Sequence, residues 1–90
     1  MKPTKFELSQ NYPNPFYPST TIKFGLPSDA KVTLEVYNTI GQKVATLVKG
    51  QMSAGYHQVE FNGNNLASGI YFYRLQIGSL TKTKKLLLLK

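Results

Sequence analysis

The sequence predicts an all-β protein, an antiparallel sandwich of about seven short strands. Three observations lead there. Apolar and polar residues alternate with period two over several stretches of about eight residues. Turn-forming residues separate these stretches at regular intervals. No stretch of useful length carries a helical period.

The densest of these stretches is Leu66-Ala67-Ser68-Gly69-Ile70-Tyr71-Phe72-Tyr73-Arg74-Leu75-Gln76-Ile77. Its odd positions, Tyr71, Tyr73, Leu75 and Ile77, are apolar or amphipathic, whereas Arg74 and Gln76 require water. The odd set is therefore expected on the core and the even set outside, with Phe72 half covered. Gly69 allows a backbone conformation that a side chain disfavours. The spacing Leu-x-x-Gly-x-Tyr matches a tyrosine corner, in which a tyrosine hydroxyl near a strand start bonds upstream backbone. A tyrosine that only fills volume in a central strand would give the same fold.

Taken in order, Phe6–Gln10 reads as a short first strand with Phe6 and Leu8 on one side. Asn11-Tyr12-Pro13-Asn14-Pro15-Phe16-Tyr17-Pro18 follows, and its prolines forbid a helix or a central strand. A stiff crossing segment is expected, with Tyr12 and Phe16 pinning it to the sandwich. A proline-rich ligand for a peptide-binding groove is the competing reading, and it would leave those aromatics exposed. Ser19–Leu26 turns Ile22, Phe24 and Leu26 inward, and Lys31–Tyr37 does the same with Val32, Leu34 and Val36. Such one-sided burial implies antiparallel pairing.

Asn38–Gly41 turns the chain, with Gly41 a positive-φ site. In Gln42–Val48, Val44 and Leu47 cannot share a face without a bulge, a feature common at sheet edges. Lys49–Gly55 reads as a loop. Tyr56–Phe61 is a strand with Val59 and Phe61 inward and His57 at the rim. Asn62–Asn65 turns, Leu66 plugs the end of the sandwich, and Gly78-Ser79 makes the last reversal before a final strand over Leu80–Lys90. The whole pattern is that of an immunoglobulin-like sandwich, with a core of Ile22, Phe24, Val32, Leu34, Val36, Val59, Phe61, Tyr71, Tyr73 and Leu75.

Ninety residues supply one modest core, so residues 1–90 are expected to form a single domain, residues 1–5 being a flexible start or linker. With no cysteine, neither disulfides nor thiolate metal sites contribute. Met1–Lys5 has neither the apolar run nor the cleavage site of a signal peptide, and no stretch reaches the roughly 20 apolar residues of a membrane helix.

Catalysis needs convergent acid, base or nucleophile groups. The chain offers one histidine and four scattered carboxylates, Glu7, Asp29, Glu35 and Glu60, so no enzyme and no cofactor are expected. His57 alone makes neither a triad nor a metal site, and a rim histidine bonded to backbone or water is the expected role. Asn62–Asn65 lacks the carboxylate a calcium site needs. Eleven Lys and Arg against four Asp and Glu leave a net charge of +7, spread along the chain and with a single arginine. That supports solubility and nonspecific attraction to anions, not specific nucleic-acid recognition.

The C-terminus has least structural excuse. Lys84-Lys85-Leu86-Leu87-Leu88-Leu89-Lys90 is apolar on both faces of a strand. Either neighbouring loops cover the second face, or another protein grips this strand by edge pairing with the lysines as gatekeepers. On the second reading, replacing Leu86 and Leu88 by serine spares folding but blocks that recognition.

Asn11-Tyr12-Pro13-Asn14-Pro15-Phe16, Thr20-Thr21-Ile22-Lys23-Phe24, Val36-Tyr37-Asn38-x-x-Gly41-Gln42-x-Val44, Gly55-x-His57, Leu66-Ala67-Ser68-Gly69-Ile70-Tyr71 and the closing Lys-Leu run follow one order. Together they resemble the C-terminal sorting domain (type A) of type IX secretion cargo from the Bacteroidetes, over nearly the whole chain from Phe6 to Lys90. Immunoglobulin-like modules of the flagellar hook-capping kind share the Tyr-Pro-Asn-Pro and Gly-x-Tyr features.

The resemblance implies a non-catalytic module that directs an upstream cargo through the periplasm and across the outer membrane to the cell surface or medium. Its implied partners are an outer-membrane shuttle barrel, the translocon and a sortase-like cysteine peptidase that removes the domain and attaches the cargo to lipopolysaccharide. Tyr12, Pro13, Asn14, Pro15, Phe16, Gly69 and Tyr71 match the family's structural motifs, and Lys84, Lys85, Leu86, Leu87, Leu88, Leu89 and Lys90 match its terminal recognition motif. Tyr17 stands where relatives commonly have Asn, a departure expected to be tolerated. The rival functions are a structural spacer and a carbohydrate-binding appendage, the latter relying on Tyr37, Tyr56 and Phe72 as outward aromatics.

Overall fold

Alternation of apolar and polar residues fixes which side of each strand is buried, and the strands pair accordingly. The computed structural model describes residues 3–90. It contains β1 (Glu7–Leu8), β2 (Ser19–Leu26), β3 (Ala30–Tyr37), β4 (Lys43–Met52), β5 (Gly55–Asn62), β6 (Gly69–Ile77) and β7 (Leu80–Leu88). One sheet has the order β1-β2-β5 and the other β4-β3-β6-β7, with every pair antiparallel. This is a sandwich of the immunoglobulin type.

Nine of the ten expected core residues are buried, and Val59 packs against them half-buried. Leu8, Phe16, Leu26, Leu86 and Leu88 complete the core. In β6 the odd positions face inward as the alternation requires: Tyr71, Tyr73 and Leu75 are buried, and Arg74 and Gln76 reach solvent. Gly41 adopts φ 86°, the left-handed conformation expected of that turn.

β4 carries the irregularity its sequence demands. Leu34 pairs with Val48 and Glu35 with Thr46, so Leu47 is an extra residue; Val36 pairs with Ala45 and Tyr37 with Lys43, so Val44 is a second. Two bulges put both side chains against the core on an edge strand.

Two expectations are corrected. β4 does not end at Val48: Lys49–Met52 continues it, Gly50 opposing Val32 at φ 148°, and only Ser53-Ala54 separates it from β5. The Tyr12 side chain does not pin the crossing segment, being 81% exposed; its main chain does, exchanging two hydrogen bonds with Thr21, and Asn11 is the buried side chain because its amide finds hydrogen-bond partners there. Within the leading stretch, Pro3 is buried over Gly25, where a Cβ would lie 2.9 Å from its ring, while Met1 and Lys2 lie outside the described residues.

Candidate functional site

β7 lies at one edge of the four-stranded sheet, so one side of its backbone is left without a strand partner. Its register with β6 sets Leu86 opposite Tyr71 and Leu88 opposite Gly69. Leu86 and Leu88 thereby share the inward face of Tyr71 and Tyr73, and both are fully buried. Their replacement by serine cannot spare the fold, contrary to the sequence expectation, because two polar groups would enter the core. The outward set is Lys85, Leu87, Leu89 and Lys90, with Leu87 half-buried and the others exposed. Lys84 is half-buried.

The proline-rich segment is what covers this edge. Asn14 Oδ1 accepts from the Leu87 amide at 2.9 Å, the Phe16 amide donates to Leu87 O at 3.0 Å, and the Leu89 amide donates to Phe16 O at 3.1 Å. Gln10 Nε2 donates to Lys85 O at 2.7 Å. The segment is therefore a strap on the outer edge of β7, parallel to it at the Phe16–Leu88 bridge. Edge pairing of Lys85–Leu89 with another chain would require the strap to leave. Prolines suit a strap, since it needs few main-chain donors.

The strap has its own anchors. Tyr73 Oη donates to Ser9 O at 2.6 Å and accepts from the Asn11 amide at 2.9 Å, and burial pushes its pKa up to about 12. Asn11 Nδ2 donates to Thr20 Oγ1 (3.0 Å) and Pro13 O (3.1 Å), and Thr20 Oγ1 donates to Pro13 O. Phe16 packs against Phe61 with ring centroids 5.9 Å apart. A Cβ on Gly63 would meet Leu88 at 3.0 Å and the Phe16 ring at 3.3 Å, so a larger residue there would press on both motifs at once.

The other matched residues hold the start of β6. Tyr71 Oη donates to Ala67 O at 2.6 Å, which is a tyrosine corner. Gly69 has φ 148° with open space where a Cβ would stand, so its requirement is conformational. The chain end is tied to the same turn: the Lys90 amide donates to Ser68 Oγ at 3.0 Å and Lys90 Nζ to Asn64 O at 3.0 Å. Tyr17 Oη donates to Asn64 Oδ1, so the departure at this position gains a contact.

Sequence reasoning missed Gln10, Asn11, Ser68 and the hydroxyl of Tyr73. Polar residues flanking the prolines were the available signal; their partners lie 62 to 75 residues away along the chain.

Glu35, Tyr37, His57 and Asp29 are each held in structural contacts. Glu35 accepts from Tyr37 Oη at 2.7 Å and pairs with Lys43 at 3.2 Å and Arg74 at 3.7 Å. The Tyr37 hydrogen bond, helped by the two cations, holds its carboxyl below the ordinary value of 4.5. The Arg74 guanidinium lies 4.7 Å over the Tyr37 ring, which leaves Tyr56 as the well-exposed member of the three outward aromatics. His57 bonds Ser53 O through Nε2 and stacks on Phe24. Asp29 accepts from the Ala54 amide. Among the described residues no helix is long and apolar enough to cross a membrane.

A family model described as the secretion system C-terminal sorting domain matches residues 10–89, which include both the strap and the strand it covers. The chain belongs to this family. No curated protein sequence matches it. The sorting domain is a signal for type IX secretion, so the protein that carries it engages that machinery and is exported to the cell surface or the medium. In this sorting domain the two motifs separated by most of the chain form one structural unit, the strap closing over β7.

Proposed function

We propose that residues 1–90 act as one non-catalytic sorting module, read through the outward side of the last strand by an outer-membrane shuttle barrel and the translocon. In this reading an upstream cargo crosses the periplasm with the module attached, and a sortase-like peptidase then removes it, leaving the cargo free or joined to lipopolysaccharide. The observation that carries the reading is the division of the terminal motif. Leu86 and Leu88 are core, whereas Lys85, Leu89 and Lys90 are exposed with Leu87 half-buried, which offers a cationic and apolar surface to a partner.

That division dictates the test. Deleting Lys84–Lys90 would remove two core leucines and confound export with unfolding. A reporter is instead fused upstream in a host with type IX machinery, and wild type is compared with Leu87→Ser/Leu89→Ser and Lys85→Glu/Lys90→Glu. Wild type is expected outside the cell, and the variants are expected folded but retained. Export of folded variants at the wild-type level would refute recognition through this side.

A further inference from the structure

We propose that the first half of β7, Thr81–Lys84, is a β-addition site for an acidic extended segment of the export machinery. The inference rests on the sorting reading and specifies how one partner binds.

The strap covers only half of the edge. Lys85, Leu87 and Leu89 direct their main-chain groups away from β6: Gln10 Nε2 donates to Lys85 O and the Phe16 amide to Leu87 O, while Asn14 Oδ1 and Phe16 O accept from the Leu87 and Leu89 amides. Antiparallel pairing repeats every two residues, so the N–H and C=O of Thr81 and Thr83 face the same way. They have no hydrogen-bond partner among the described residues. Four main-chain groups in register are thus open to an added strand, with Leu80, 57% exposed, at their end.

The other edge of the same sheet is unsuited, because β4 is bulged at Val44 and Leu47. The outer edge of β5 is regular but carries Glu60 and neither lysine nor arginine.

Charge selects the occupant. Lys82 and Lys84 stand in this half of the strand, Lys82 Nζ 5.7 Å over the Phe6 ring, with Lys85 just beyond it, and β7 holds no acid to balance them. Lysines on an open edge ordinarily prevent indiscriminate strand addition. An incoming strand with acidic residues at alternate positions converts that barrier into cross-strand pairs. A second copy of the chain is disfavoured, because pairing two β7 edges would set lysine clusters against one another.

Proline separates this role from folding. The Thr83 N–H points outward, so Thr83→Pro removes no bond to β6 and blocks addition. Thr81→Pro and the pair Lys82→Glu/Lys84→Glu test the same site independently. Each is placed in the upstream-reporter fusion, with thermal unfolding and sedimentation of the isolated domain alongside.

Wild type is expected to be exported and monomeric, and the variants that fold are expected to export about tenfold less, the effect of losing one or two main-chain hydrogen bonds. Wild-type export from folded Thr83→Pro or Thr81→Pro would overturn β-addition while leaving the sorting reading in place. Failure of the wild-type fusion to leave the cell would overturn the sorting reading itself. A wild-type dimer dispersed by proline would assign the edge to a second copy and overturn the acidic partner.

Discussion

The hydroxyl of Tyr73 joins the centre of β6 to the start of the strap, and Tyr73→Phe removes it without changing the apolar volume of the ring. Two hydrogen bonds are lost, one given to Ser9 O and one accepted from the Asn11 amide. Asn11 is buried, so its N–H has no route to water and its desolvation costs about 1–3 kcal/mol. Ser9 is exposed, so water can replace much of what its carbonyl loses.

The net loss is about 2 kcal/mol, which at a urea m-value of about 1–3 kcal/mol/M moves the unfolding midpoint down by roughly 1 M. Equilibrium urea unfolding measures it. Amide hydrogen exchange localises it: the Leu87 and Leu89 amides, which bond Asn14 and Phe16 of the strap, should exchange faster by a larger factor than those of Leu34 and Val36 in β3. A midpoint within about 0.2 M of wild type, with Leu87 and Leu89 still protected, would refute the anchoring role.

The terminal leucines should separate by parity: Leu88→Ala should cost about 2–5 kcal/mol in urea unfolding, and Leu89→Ala no more than roughly 0.5 kcal/mol. Gly69→Ala should destabilise by about 1–3 kcal/mol although a Cβ there meets nothing, because φ 148° is strained for any side chain; the same denaturation assay reads it. Tyr73 also predicts an alkaline limit. Its folded pKa of about 12 lies above the ordinary 10, so its stabilising contribution is complete below pH 10 and is lost as pH rises from 10 to 12. The slope is at most about 1.4 kcal/mol per pH unit, and Tyr73→Phe should abolish it in pH-dependent unfolding.

For Glu35 the sign is the opposite. Its lowered pKa gives a contribution present above the ordinary carboxylate value and lost as pH falls through the folded one, and acid unfolding of Tyr37→Phe should show a smaller loss.

What the sequence determined by itself is whatever depends on neighbours along the chain. Alternation set the buried faces of β2, β3 and β6, and the separation of Val44 and Leu47 required the bulges of β4; Leu66-x-x-Gly69-x-Tyr71 allowed a tyrosine corner or a tyrosine filling volume, and the bond to Ala67 O decided between them. Local chemistry failed where it carried no parity. Four consecutive leucines read the same in either register, so only the pairing of Leu86 with Tyr71 decided which two are core. Gly50 looked like a loop because its neighbours are polar; pairing with Val32 kept it in β4.

The strap is legible from sequence as stiff but not as attached. Asn14 and Leu87, Phe16 and Leu89, and Tyr73 and Ser9 are joined by bonds spanning from 64 to 73 residues, and no periodicity encodes such partners. Sequence therefore decided that a last strand exists. Tertiary structure decided which of its side chains face outward, and which half of its edge the chain has already filled.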